Sequence, residues 1–140
     1  MNIEEFIKKS PKAELHLHIE GTLEPELMFL LAKRNNIEIP FKNVDDVKKA
    51  YNFNNLDAFL KIYYEGAKVL IKEEDFFDLT WAYILKCKKD NIVHTEIFFE
   101  PQTHSDRGVD FDIVINGIFK ALKKGEKEFG LTFKIIMCFL

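Results

Sequence analysis

Three short segments of the chain have hydrophobic patterns typical of strands, and each segment predicts a β-strand. The segments are residues 13–19, residues 93–100 and residues 132–140, and the third is apolar almost throughout. A period of two is typical of strands, and a nearly continuous apolar run is typical of a strand buried on both faces. The pattern therefore predicts three strands, the last of them buried on both faces.

Apolar residues at helical spacing dominate the sequence between these strands. We predict Thr22 as the N-cap of a helix that ends at residues 35–36, and Gly130 as the cap that ends a helix at Phe111–Phe129. The other predicted helices are residues 2–9 with Asn2 as the cap, Val44–Ala50 with Asn43 as the cap, and two apolar stripes over residues 56–70 and 76–87.

The order of these elements is strand, helices, strand, helix, strand, which is typical of parallel β/α units. We therefore predict an α/β fold with about three parallel strands and intervening helices. A length of 140 residues bounds the chain to one domain or part of one. Because the last predicted strand has no helix after it, the chain is either an open three-stranded unit or the N-terminal part of a larger barrel.

His16 and His18 lie near the end of the first predicted strand and point to one side of it, because strand side chains alternate. Their Cα atoms would be about 7 Å apart, from a rise of roughly 3.3 Å per residue. Two imidazoles so placed can bind one divalent ion. Glu20 continues on the same face, Gly21 lets the backbone turn away, and the apolar residues between them face the opposite side. The pattern predicts a metal-binding strand beside a cavity.

Charge and composition exclude several classes of partner. The net charge of −3 comes from intermixed acidic and basic residues, so no basic surface for nucleic acid is predicted. No apolar stretch approaches the length of a membrane span, and the first ten residues lack the apolar run of a secretory signal. Cys87 and Cys138 are isolated in apolar patterns, which favours free thiols. We therefore expect a cytoplasmic protein without a membrane partner.

Four segments resemble the adenosine/adenine deaminase family, which belongs to the amidohydrolase superfamily. They are PKAELHLHIEGTL at residues 11–23, FLKIYY at residues 59–64, HTEIFFEPQTH at residues 94–104 and IMCFL at residues 136–140. The similarity covers essentially the whole chain. It is therefore far more specific than the pair of histidines alone.

Within this family the chain is more similar to the adenine type than to the adenosine type. The segment FFEPQTH at residues 98–104, followed by Arg107 and Gly108, is similar to the adenine type. Adenosine deaminases carry Asp where this chain has Glu20, and that Asp contacts the ribose. Since Glu is longer by one methylene, Glu20 would occupy room that a ribose needs. The resemblance therefore favours adenine as the substrate.

The resemblance implies a (β/α)₈ TIM barrel whose site lies at the C-terminal ends of the strands. In this family a zinc ion lowers the pKa of a bound water, which attacks C6 of the purine ring, and ammonia leaves. We expect the chain to contribute to one Zn²⁺ site and to a purine site. The expected residues are His16 and His18 as metal ligands, and Glu20, Gly21, Phe59 and His104 as substrate-binding residues.

The rest of the family's site comes from later strands of the barrel. Its third histidine ligand, its proton-donating glutamate, the histidine that orients the water and the ligating aspartate have no counterpart in this chain. We therefore expect no catalytic residue here, and we expect residues 1–140 to be an incomplete domain without activity of its own. Unpaired sheet edges would favour self-association through residues 132–140. The N-terminal helix would cover the other edge, near His16.

Several alternatives remain open at this point. The substrate could be adenosine, or the chain could come from another hydrolase with a His-x-His strand, such as a two-metal amidohydrolase or a phosphoesterase. The phosphoesterases generally carry Asp two residues before the first His, where this chain has Glu14. The chain could also be a non-catalytic, associating fragment. His104 could contact substrate or brace its loop, Glu100 is expected to make structural hydrogen bonds, and His94 lies at the remote end of the second strand.

Overall fold

The computed structural model describes residues 2–139 of the chain. Three parallel strands form one sheet in the order β1 (Lys12–His18), β2 (Ile92–Phe99) and β3 (Thr132–Met137). The predicted α/β fold with three parallel strands is confirmed. The third strand is shorter than predicted, and Leu140 lies outside the described residues.

Seven α-helices occur within the described residues, and six of them lie in the connections between strands. The helices are α1 (Ile3–Lys9), α2 (Pro25–Asn35), α3 (Val44–Ala50), α4 (Leu56–Ala67), α5 (Glu73–Lys89), α6 (Pro101–Ser105) and α7 (Phe111–Phe129). Helices α2 to α5 connect β1 to β2, and helices α6 and α7 connect β2 to β3. Parallel strands need such crossovers, because each strand must return to the same end of the sheet.

Three predicted helix caps are confirmed. The side chains of Asn2 and Asn43 each accept a backbone hydrogen bond in the first turn of α1 and α3. Gly130 ends α7 with a φ of 70°, a left-handed conformation that glycine adopts without steric cost.

The predicted cap role of Thr22 is wrong. Thr22 belongs to a 3₁₀ turn, Ile19–Thr22, and α2 begins only at Pro25. The hydroxyl of Thr22 donates a 2.7 Å hydrogen bond to the carbonyl oxygen of Ile19, so it closes the turn and does not cap a helix. Helix α6 was not predicted, because five residues are too few to show a helical period.

The hydrophobic core lies between the sheet and the helix pair α5 and α7. Phe76 of α5, Ile97 of β2 and Ile118 of α7 are fully buried in it. The two helices approach each other closely at Gly117, where a Cβ atom would lie 2.4 Å from the carbonyl oxygen of Glu73. A side chain at this position would force the helices apart, so the packing requires glycine.

The cysteines agree with the prediction from composition. Cys87 and Cys138 are both free thiols, and Cys87 is buried. Burial raises the pKa of the Cys87 thiol to about 11, so this side chain is an unreactive part of the core. Among the described residues, no helix combines the length and the apolar character that crossing a membrane requires.

Each outer strand of the sheet has an open edge, because β1 and β3 both pair with β2 alone. Helix α1 does not cover the edge of β1, contrary to the prediction, since it has no buried side chain. Leu15 on β1 is 59% exposed, and Phe139 beyond β3 is 72% exposed. The apolar sequence of β3 predicted burial on both faces, and this prediction is wrong because no described element covers its outer side.

Candidate functional site

His16 and His18 lie side by side at the carboxyl end of β1. Their ring centroids are 5.8 Å apart. Phe98 of β2 packs against both rings, with centroid distances of 4.7 Å to His16 and 5.3 Å to His18. The two imidazoles therefore face the same side of the sheet, as predicted, and rest on an aromatic ring.

Strand β1 is not regular at His16, which corrects the simple alternation predicted for it. Leu15 and Leu17 pair with the consecutive residues Glu96 and Ile97 of β2, so His16 is an extra residue that forms a bulge. Its φ of 61° is left-handed, a conformation that costs a non-glycine residue about 1–3 kcal/mol. Bulges often re-aim side chains next to functional sites. One consequence is that Leu17 lines the same cavity as the histidines instead of facing away.

A carboxylate orients the ring of His18. Glu100 Oε1 accepts a hydrogen bond of 3.0 Å from Nδ1–H of His18. Because a carboxylate only accepts hydrogen bonds, the proton of the neutral ring is on Nδ1, and Nε2 keeps a free lone pair. Histidines that bind metals commonly have this arrangement. The geometry therefore suits His18 to bind a metal ion through Nε2.

A cavity of about 370 Å³ opens beside the two histidines. Small-molecule sites in proteins have volumes of roughly 300–1,000 Å³, so a purine-sized ligand fits. The aromatic side chains of α4 form one wall, as expected if that helix roofs a pocket. The cavity is lined by His16, His18, Gly21, Phe59, Tyr63 and Glu100, among others.

Glu20 does not continue the polar face of β1, which corrects the prediction. The strand ends at His18, and the 3₁₀ turn carries Glu20 into the interior, where the residue is only 3% exposed. Its Oε1 atom accepts hydrogen bonds from the backbone N–H of Glu100, at 2.9 Å, and from Nε2 of His104, at 3.1 Å. Glu20 is therefore a buried hydrogen-bond acceptor that connects β1 to β2.

A second, small cavity of about 20 Å³ contains Glu20. It shares Gly21, Phe59 and Tyr63 with the larger cavity, so the two adjoin. The volume suffices for about one water molecule. Gly21 does not have a positive φ, so the turn does not need glycine for its conformation. A Cβ atom at this position would lie 3.5 Å from the ring of Tyr63, which is an ordinary van der Waals contact, so the packing does not require glycine either.

Tyr63 connects the two buried carboxylates. Its hydroxyl lies 3.1 Å from Glu100 Oε1 and 3.3 Å from Glu20 Oε2, so the two carboxylates share its single proton in a bifurcated hydrogen bond. Burial, reinforced by these two negative charges, raises the pKa of Tyr63, so the hydroxyl keeps its proton. From the sequence, Tyr63 was predicted only as a residue of a helix that could cover a pocket.

His104 is fully buried behind Glu20 and lines neither cavity. The ring of Phe76 meets it edge-on, with the centroids 4.8 Å apart. Arg107 Nη2 lies 2.9 Å from its Nδ1 atom. Of the two roles left open by the sequence, this position favours bracing, and a direct contact of His104 with substrate stays a prediction.

The remaining histidine, His94, lies at the opposite end of β2, as predicted. Its Nδ1 atom is 2.8 Å from the hydroxyl of Thr132. Within residues 2–139, no group of three or more His, Cys, Asp or Glu side chains is arranged to hold a metal ion. His16 and His18 stay the predicted metal ligands of the described chain.

Two residues contact the site although the sequence did not predict a role for them there. Phe98 follows from the parallel register, because it pairs with His18 on the neighbouring strand. A strand alignment could therefore have found it. Arg107 reaches His104 from the turn after α6, and no periodic pattern in the sequence indicates that contact.

Comparisons with known proteins give matches over nearly the whole chain. The model of the family described as adenosine deaminase matches residues 11–140. A curated adenine deaminase from Wolinella succinogenes is 65% identical over 138 residues, which are 99% of this chain and 42% of that protein. A crystal structure of adenine deaminase from Arthrobacter aurescens has a TM-score of 0.89 at 44% identity, and the match covers 92% of this chain and 39% of that chain.

A more distant structure has the same fold. An amidohydrolase from Burkholderia ambifaria, solved with bound Zn, has a TM-score of 0.81 at 20% identity over 98% of this chain and 38% of that chain. The structural matches confirm the predicted fold class, in which three parallel strands and their helices form part of a TIM barrel. The chain spans about two fifths of the length of the curated relatives it matches. Since the family model matches nearly all of it, the chain belongs to the adenosine deaminase family.

Proposed function

We propose that this chain is part of a zinc-dependent deaminase that converts adenine to hypoxanthine and ammonia. One observation carries the proposal. His16 and His18 lie side by side on a purine-sized cavity, with Nδ1 of His18 bound by Glu100, in a chain 65% identical to an adenine deaminase. Hydrolytic loss of the amino group at C6 needs a water nucleophile, and a bound divalent ion would supply its activation.

The two histidines fit zinc in their chemistry. Imidazole nitrogens are common zinc ligands, and zinc usually takes four ligands. Nε2 of His18 is free because Glu100 binds the other ring nitrogen, and the exposed ring of His16 lies next to it. Two of the four positions are therefore available from β1. The zinc bound to the Burkholderia ambifaria amidohydrolase, which shares the fold, supports this choice of metal.

Three residues are proposed to bind the purine directly, and a fourth is proposed to act through one of them. The aromatic ring of Phe59 offers an apolar wall, and Gly21 allows close approach to the turn. Glu20 is proposed to accept a hydrogen bond from a ring N–H of the base, through the adjoining small cavity. His104 is buried behind Glu20 and is proposed to act on the substrate through it.

The geometry around Glu20 supports adenine over adenosine. Free adenine carries an imidazole-ring N–H that a carboxylate can accept, and in adenosine the ribose replaces that hydrogen. The cavity beside Glu20 holds about one water, which is far too little for a ribose. The names of the relatives, which are adenine deaminases, point to the same substrate.

A grafted enzyme tests this function. The matched segment of the Wolinella succinogenes adenine deaminase is replaced by this chain, to which it is 65% identical. We expect the graft to deaminate adenine within about tenfold of the parent kcat/KM, and to act on adenosine roughly 10²-fold less well or worse, because a site built for an N–H rejects a ligand without it. The loss of purine absorbance on deamination gives both rates.

The substitution Glu20→Asp in the graft is the matched variant, since it removes one methylene and keeps the charge. We expect it to lower kcat/KM for adenine and to raise the ratio of adenosine to adenine turnover. A graft that folds and binds zinc but prefers adenosine would overturn the substrate. A folded, zinc-loaded graft without turnover of either purine would overturn the deaminase assignment.

We also propose that the 140-residue chain alone is inactive and self-associates. Two imidazoles are half of a zinc site, and without an acid to protonate the ring the reaction loses help worth about 10²–10⁴-fold. The open edges of β1 and β3 can pair with other copies. Light scattering should show oligomers, and adenine should not be consumed. A monomer that holds one zinc tightly and deaminates adenine would contradict this proposal.

A further inference from the structure

A continuous path of hydrogen bonds leads from the buried Glu20 through His104 to Arg107, which is exposed at the surface. Nε2 of His104 lies 3.1 Å from Glu20 Oε1, and Nη2 of Arg107 lies 2.9 Å from Nδ1 of the same ring. The side chains of His104 and Glu20 are at most 1% exposed. Water is therefore excluded from the contact between them.

The chemistry of the three groups fixes the direction of each hydrogen bond. A guanidinium only donates, so Nδ1 of His104 must be the acceptor from Arg107. The proton of the neutral ring is then on Nε2, which donates to the carboxylate of Glu20. The other tautomer would set two N–H groups against each other and would leave Glu20 facing a lone pair. Arg107 therefore determines the tautomer of His104.

Arg107 is itself held in place from two elements. Its Nη1 atom donates to the carbonyl oxygen of Lys68 and its Nη2 atom to that of Leu70, both at 3.2 Å. Its Nε atom donates to the carbonyl oxygen of Thr103 at 2.9 Å. These contacts connect the segment after α4 to helix α6. The guanidinium therefore presents the same N–H to His104 whenever the two elements are packed.

We propose that Arg107 and His104 are positioning residues that fix the orientation of Glu20 for substrate binding. Oε1 of Glu20 is occupied by the N–H groups of Glu100 and His104, whereas Oε2 is bonded to Tyr63 alone, at 3.3 Å. We call the hydrogen-bonded path from Arg107 through His104 to Glu20 the relay. It keeps Oε2 directed at the shared wall of the two cavities, where a ring N–H can reach it. The inference rests on the proposed function, in which Glu20 binds the purine.

Kinetics of the graft separate a positioning role from a structural one. His104→Phe and Arg107→Met remove the relay, and we expect each to raise KM for adenine about 10- to 100-fold. This range corresponds to the loss of one hydrogen bond to a charged group. The value of kcat should stay within about threefold, since the lost interaction lies away from C6. His104→Gln keeps a donor near the position of Nε2 and should restore KM.

Tyr83→Phe is the matched control. Its hydroxyl is buried and lies 2.7 Å from Glu14 Oε2 and 2.6 Å from the hydroxyl of Thr95, toward the other end of the strands. This variant should unfold at lower urea concentration with KM unchanged. If His104→Phe behaves in the same way, or if His104→Gln is as impaired as His104→Phe, the positioning role is wrong.

The tautomer of His104 is measured directly in the graft labelled with ¹⁵N-histidine, and its resonance is identified by its loss in His104→Gln. We expect Nε2 to carry the proton and Nδ1 to be unprotonated, and this result stands even if Arg107→Met does not fold. The reverse tautomer, or a doubly protonated ring, would overturn the relay. A graft with the expected tautomer but no turnover of adenine would refute the proposed function and leave the relay standing. A graft with the reverse tautomer that turns over adenine would refute the relay and leave the proposed function standing.

Discussion

Replacing both His16 and His18 with alanine in the graft is expected to remove its zinc and nearly all of its activity. In the proposed site these residues supply two of the four ligands that zinc usually takes. Loss of one outer-shell partner already costs about 10–100-fold in metal affinity or activity, so we expect the loss of two ligands to lower kcat/KM by more than about 10³-fold. Elemental analysis of the purified protein gives the zinc content, and the absorbance assay gives kcat/KM.

Two single variants serve as controls for this result. His94→Ala removes a histidine at the far end of β2, so zinc content and kcat/KM should not change. Glu100→Gln keeps the shape of the carboxylate but weakens its bond to His18, and we expect a loss of about 10–100-fold. Stoichiometric zinc in the double alanine variant would show that the metal is bound elsewhere.

Asp75→Ala is expected to cause the largest loss of stability, about 3–5 kcal/mol of the free energy of unfolding. Asp75 is fully buried and accepts hydrogen bonds from the backbone N–H groups of Ile71 and Lys72 and from the side chains of Arg34 and Asn35. Alanine would leave the backbone N–H groups of Ile71 and Lys72 and one N–H of Asn35 without their acceptor, and each unsatisfied group costs free energy. Arg34 would lose its buried partner and keep Asp78. Urea unfolding of the graft and of the variant measures the difference.

Asp78→Ala is the matched control, because Asp78 pairs with the same arginine. Its carboxylate lies 2.7 Å from Nη2 of Arg34, but its side chain is 35% exposed, compared with 0% for Asp75. Exposed ion pairs contribute about 0–1 kcal/mol, so the control should lose no more than that. Equal losses of unfolding free energy in the two variants would contradict the claim that the buried carboxylate of Asp75 contributes more to stability than the exposed one of Asp78.

The sequence predicted the order of strands and helices well, because each element has a clear period or cap. It could not predict the bulge at His16. A left-handed histidine is locally unfavourable, and only the pairing of β1 with β2 imposes it. The predicted face of Glu20 was wrong for a related reason, since the strand ends at His18, two residues before Glu20, and a 3₁₀ turn redirects the side chain.

The site was predictable where it depends on neighbours in sequence, and not where it depends on distant contacts. The spacing of His16 and His18 indicated a shared ion, and their rings do lie together. The bond between His18 and Glu100 joins residues 82 positions apart, so strand order alone could place them at one end of the sheet but not in contact. The path from Glu20 to Arg107 depends on how helix α6 packs, which no local pattern encodes.

Diffraction at the zinc absorption edge from crystals of the zinc-loaded graft tests the central claim most directly. The claim is that His16 and His18 of β1 hold the metal of a purine deaminase. It predicts a single anomalous peak about 2.0–2.1 Å from Nε2 of both histidines, with Nδ1 of His18 still bonded to Glu100. A peak bound by other residues, or density for His16 and His18 without a metal between them, would contradict the account.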